Sequence, residues 1–111
     1  MQNVFESIPY QQDRMGRREV INEEDVQVMQ IALLPGQTVP VHKANSTLVH
    51  LLVLTGGLAV DLDGQTYSLK TGDILPVAYG TPMQISNSGH EKTTFLAVKT
   101  PHPSRSREDD S

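Results

Sequence analysis

Cysteine is absent from the 111-residue chain, and so is tryptophan. The first absence excludes disulfides, thiolate metal sites and a cysteine nucleophile. Basic residues are also few: 9 Lys+Arg against 13 Asp+Glu give a formal net charge of −4. Only Arg14, Arg17 and Arg18 cluster, too few for a phosphate-tracking surface, so no nucleic-acid partner is expected. Long apolar runs are missing as well. The longest, residues 48–54, is seven residues with His50 inside it, well short of the roughly 20 needed to span a membrane. Residues 1–20 hold no apolar run of signal-peptide length. The expectation is a cytoplasmic protein with no membrane partner. The length suits one domain, which buries roughly two thirds of its unfolded surface and leaves no room for a second.

Three regions differ in what they contain. Residues 1–17 are polar, with isolated apolar residues (Val4, Phe5, Ile8, Tyr10), and read as an N-terminal arm that packs on the surface or on a second subunit. Residues 18–100 carry the apolar periodicity and form the domain. Residues 101–111, PHPSRSREDDS, hold no apolar side chain except proline and read as a disordered tail.

The domain reads as strands almost throughout. A first run covers residues 26–31, and others follow at about 39–43, 48–55, 57–62, 65–69, 73–77, 82–87 and 93–99. Asp63-Gly64 is a type I′ hairpin signal, because both residues tolerate positive φ. Thr55-Gly56-Gly57 and Thr71-Gly72-Asp73 are further glycine turns. Residues 19–25 read as a loop or a single turn of helix. Many short strands between Gly and Pro turns point to an all-β sandwich or barrel.

Residues 48–54 are apolar on both faces: Val49, Leu51 and Val53 on one, His50, Leu52 and Leu54 on the other. A strand buried on both sides sits between two layers, or between a core and a partner. The expectation is a homodimer, with the arm as the element that reaches across. A strand covered by its own arm fits equally well.

Two glycine-anchored motifs then stand in order. Gly36, five residues and His42 lead into the two-sided strand, which ends at Gly56. Gly72-Asp73, four residues, Ala78-Tyr79-Gly80-Thr81-Pro82-Met83, three residues and Asn87 follow. This pattern resembles the cupin superfamily over about residues 25–100. The resemblance implies a cupin double-stranded β-helix, the jelly-roll barrel. It also implies positions for metal ligands, and here the sequence departs from the family. The first ligand histidine falls on His42, the second on Ala44, the carboxylate on Val49 and the third histidine on Met83. The motif proline is Ala78. A divalent ion needs three or more converging N/O donors, so neither a metal nor any other cofactor is expected. His50, next to Val49, points to the opposite face in a regular strand, and only a one-residue bulge would turn it inward. His90, in a Ser-Gly-His-Glu turn, and His102 read as surface histidines.

The residues expected to line a ligand pocket are His42, Ala44, Val49, Leu51, Tyr79, Met83 and Asn87. None of them is assigned a catalytic role. His42 is expected to project into the barrel, either at the mouth of an apolar pocket or as a core histidine satisfied by a backbone carbonyl or by Asn87. Met83 reads as core filler or pocket wall, and Tyr79 as pocket rim or surface turn. The leading reading is a metal-free barrel that binds a small, mostly apolar ligand without turning it over. The alternatives are a structural or oligomerising barrel with a packed interior, and a cupin enzyme of isomerase/epimerase or dioxygenase type using His42. The enzyme would need an orienting group and an acid across the substrate. The expected inward faces offer neither an Asp nor a Lys, and Asp61 alternates away from Leu58, Val60 and Leu62.

Overall fold

The computed structural model describes residues 1–101. The expected disordered tail, residues 101–111 with His102, lies outside the described residues except for Pro101. Nine strands follow one another: β1 (Gly16–Glu23), β2 (Val26–Leu33), β3 (Thr38–His42), β4 (Leu48–Thr55), β5 (Gly57–Leu62), β6 (Gln65–Lys70), β7 (Ile74–Val77), β8 (Met83–Ser86) and β9 (Thr93–Thr100). They form a five-stranded sheet, in the order β1-β2-β9-β4-β7, and a four-stranded sheet, β3-β8-β5-β6. Every pairing is antiparallel. No helix among the described residues is long and apolar enough to cross a membrane.

Period-2 alternation sets what each sheet buries. Val49, Leu51 and Val53 of β4 point between the sheets beside Phe95 and Ala97 of β9, and all five are buried. Leu58 and Val60 of β5 and Met83 and Ile85 of β8 meet them from the other sheet. Each large apolar side chain removed from water contributes about 1.5–3 kcal/mol, so these facing rows hold the sheets together. The β5–β6 turn is built as its residues dictate. Asp63 and Gly64 have φ values of 52° and 89°, and the Gly64 N–H donates to Asp61 Oδ1 at 2.9 Å.

One segment differs from expectation. Residues 19–23 are neither loop nor helix but the second half of β1, which pairs with β2 and carries a bulge between Glu19 and Ile21. The strand has little apolar patterning because most of it is exposed. Its backbone pairing, and not a hydrophobic stripe, holds it in the sheet.

The arm lies across the outer face of the five-stranded sheet. Buried Gln30 donates through Nε2 to the Val4 carbonyl at 2.7 Å. Arg18 donates to the carbonyls of Ser7 and Asn3 at 3.0 and 3.2 Å, and Gln37 donates to Gln11 O at 2.8 Å. Gly16 leaves room for the Pro9 carbonyl, which a Cβ at this position would strike. The rest of the outer face carries the other side of β4. Leu52 lies between Ile74 of β7 and Leu96 of β9, and His50 between Pro76 and Val98.

Candidate functional site

The space between the sheets is not filled at one end. A cavity of about 280 Å³ opens there, with Ile31, Leu51, Phe95 and Ala97 on the five-stranded sheet and Val39, Met83 and Ile85 opposite. Its mouth is formed by Met15, Arg17, Pro40, Val41, His42 and Lys99.

His42 reaches this mouth through an irregularity. Val39 pairs with Ile85 and His42 with Met83, so β3 spends three residue steps where β8 spends two. Strict alternation from Val39 would have placed Val41 on the cavity face and His42 away from it. The extra residue reverses the parity, and a bulge commonly re-aims a side chain in this way. His42 is exposed, not core, and its Nδ1 lies 3.1 Å from the Pro40 carbonyl. A carbonyl only accepts, so Nδ1 is the donor; in the neutral ring Nε2 is then left as an acceptor.

Of the expected pocket residues, His42, Val49, Leu51 and Met83 line the cavity, and Ala44, Tyr79 and Asn87 do not. Ala44 follows β3 in a loop, where its carbonyl accepts from Gly80 N–H at 2.8 Å. Tyr79 is 54% exposed in the turn after β7. Asn87 lies past the far end of β8 from Met83. It is fully buried and its amide is consumed: Nδ2 donates to Leu33 O and Glu91 O at 3.1 and 2.7 Å, and Oδ1 accepts from Gly89 N–H. It is a loop clamp, because a buried amide side chain must satisfy its own donors and acceptor.

Contrary to expectation, the inward faces do offer a lysine, because Lys99 ends the cavity face of β9. Arg17 lines the cavity as well. Phe95, Ala97 and Lys99 share a face of β9 by alternation, so the apolar floor ends in an ammonium group. Burial, and then the neighbouring Arg17 charge, hold Lys99 below the usual 10.5. The period of β9 was the signal that would have placed Lys99. Arg17 carried none, because β1 could not be read as a strand.

The four positions that the cupin resemblance assigns to metal donors carry His42, Ala44, Val49 and Met83. Val49 and Met83 are buried apolar walls, and no group of three or more His, Asp or Glu among the described residues is placed to hold a metal ion. His50 adds nothing: the pairing of Val49 to Leu52 with Val77 to Ile74 is unbroken, so His50 faces outward. One imidazole beside a soft thioether does not fit a divalent ion.

A model of the cupin domain matches residues 29–99. An uncharacterized protein of Methanocaldococcus jannaschii is 34% identical over 87 residues, covering 78% of this chain and 74% of that one. A crystal structure from the same organism, described as an RmlC-like cupin family protein with a double-stranded β-helix fold, has a TM-score of 0.76 at 31% identity, covering 86% of this chain and 90% of that one. A Thermus thermophilus protein superimposes with a TM-score of 0.86 at 23% identity, covering 91% and 96%. A Thermotoga maritima protein described as a predicted oxalate decarboxylase gives 0.73 at 22% identity, covering 78% and 80%. At those last two identities the likeness is one of fold.

Proposed function

The chain belongs to the cupin domain family, and from that premise we propose that it is a metal-free member that binds a small, mostly apolar molecule in its barrel without transforming it. The observation that carries this is the cavity of about 280 Å³, walled by Ile31, Val39, Leu51, Met83, Ile85, Phe95 and Ala97. Concave apolar space with a few polar groups at its edge is the usual form of a small-molecule site. Roughly half that volume suffices to hold a benzene-sized guest in an apolar interior. The cavity also weighs against a barrel whose interior is simply packed.

The chemistry at the mouth supports binding over turnover. A general base needs a group to orient it and an acid across the substrate. Among the described residues, His42 is oriented only by the Pro40 carbonyl. Asp61 accepts from Gly64 N–H and from the Thr66 hydroxyl, at 2.9 and 3.4 Å, and does not line the cavity. Among the described residues no Asp or Glu lines the cavity; Lys99 supplies a proton donor across the mouth, but no carboxylate orients His42.

Two copies of the chain pair through the outer face of the five-stranded sheet in this reading. Ile74 is 62% exposed there beside half-buried Leu52 and Leu96, whereas the arm bonds to Arg18 and Gln30 on that face. A second copy would cover the remainder.

The test is benzene binding followed by amide NMR. Shifts at Leu51, Phe95 and Ala97, abolished in Ala97→Phe with the fold retained, are expected. Absence of any benzene-dependent shift in the parent protein would overturn the cavity reading.

A further inference from the structure

Among the described residues, the rim of the cavity carries charge of one sign. Arg17 comes from β1, His42 from β3 and Lys99 from β9, so three strands of two sheets bring nitrogen groups to one opening. No acidic side chain among the described residues lines it. The acidic residue of β1 adjacent in alternation to Arg17 is Glu19, which pairs with Met29; it is exposed, and its Oε2 accepts from Gln27 Nε2 at 2.8 Å. It does not line the cavity.

Arg17 and Lys99 repel each other beside an apolar hollow, Lys99 also loses hydration, and no acidic side chain among the described residues lines the cavity to compensate them. Burial and the Arg17 charge both hold Lys99 below its usual range. An anion seated between them would relieve both costs, and charge-assisted hydrogen bonds to a carboxylate are about twice as strong as neutral ones. Arg suits this geometry in particular, because its planar fork matches the two oxygens of a carboxylate.

We infer that the cavity takes a small organic carboxylate, with its apolar body against Ile31, Leu51, Phe95 and Ala97 and its carboxylate between Arg17 and Lys99 at the mouth. This rests on the ligand-binding reading above and names the chemical class of the ligand. His42 stands at the opposite side of the same mouth and offers one further polar contact to the head group. Met15 at the mouth and Met29 elsewhere in the lining give the wall an adaptable surface for apolar bodies of different shape.

The experiment compares 3-phenylpropionate with its neutral counterpart 3-phenylpropanamide, titrated calorimetrically into the full chain, with benzene as a third probe. The carboxylate is expected to bind about tenfold more tightly than the amide, the factor that one charge-assisted contact supplies. Arg17→Gln and Lys99→Gln should each bring the affinity for the carboxylate down to near that for the amide. Lys99→Arg, which keeps the charge, should retain the preference. Equal affinities for acid and amide, untouched by either substitution, would overturn the inference while benzene binding left the cavity reading standing. Failure of all three probes would overturn both. Both residues lie on the rim, and thermal unfolding of each variant checks that the barrel is intact.

Discussion

Thr93 and Gly57 bond to each other twice across the two sheets: the Thr93 hydroxyl donates to the Gly57 carbonyl at 2.9 Å and accepts from the Gly57 N–H at 3.1 Å. One side chain of β9 thus satisfies both backbone groups at the start of β5 in a buried setting. Gly56 makes this approach feasible. Its φ is 76°, and a Cβ there would strike Thr93 Oγ1 and the Lys92 carbonyl. Gly56→Ala should therefore cost about 3 kcal/mol, combining left-handed strain with loss of the paired hydrogen bonds. Thr93→Val should cost about 2 kcal/mol by leaving two backbone groups without their partner. Urea unfolding of both variants measures these losses; a loss under 0.5 kcal/mol, taken as roughly the scatter of neutral surface substitutions, would refute the clamp.

Lys99 should make stability depend on alkaline pH in a defined direction. Burial first, and Arg17 second, lower its proton affinity in the folded protein below the ordinary 10.5. Between the lowered value and 10.5 the unfolded chain holds more protons, so this residue makes stability rise with pH across that interval. Below the interval the ammonium is charged in both states and its penalty is fully present. Lys99→Met should stabilise the protein at neutral pH, and the gain should shrink as the solution becomes alkaline. A parent-minus-variant difference that does not change with pH would contradict this.

Metal content separates the donor set from the family pattern. Protein purified without an affinity tag should carry substoichiometric metal, unaffected by His42→Ala or His50→Ala. Stoichiometric zinc, iron, copper or nickel lost in both variants would show that the two imidazoles converge after all, against the outward direction of His50.

Leu52→Glu tests the pairing of two copies. The substitution sets a carboxylate in the row formed by Ile74, Leu52 and Leu96, where a desolvated charge without a partner is costly. Light scattering should report twice the chain mass for the parent at micromolar concentration and the single chain mass for the variant. A parent that scatters as one chain removes the proposal.

What could be read in the sequence follows from how local the determinant is. Asp63-Gly64 specifies its turn by backbone conformation alone, and the two faces of residues 48–54 follow from period 2, so both were legible. The parity of His42 was not available from alternation. It depends on how β3 pairs with β8, more than 40 residues away, and only the resemblance to a family placed it at the barrel. β1 escaped notice for a related reason: its place is fixed by hydrogen bonds to β2, and its exposed side chains carry no periodic record of them. Residues 1–17 therefore read as an arm, and nothing in the pattern marks Arg17 as part of a cavity wall. Asn87 was read for its motif position, but its role is decided by the carbonyls of Leu33 and Glu91, which surround it only in the folded chain.

The arm is gripped by its main chain. Arg18, Gln30 and Gln37 donate to the carbonyls of Asn3, Val4, Ser7, Gln11 and Gln12, and a carbonyl is the same acceptor whatever side chain stands beside it. The barrel therefore holds the course of this segment while leaving its lettering free to drift. Mutations at those five positions should accumulate with little penalty, whereas a change at Gln30 alone would loosen the strap for every version of the arm.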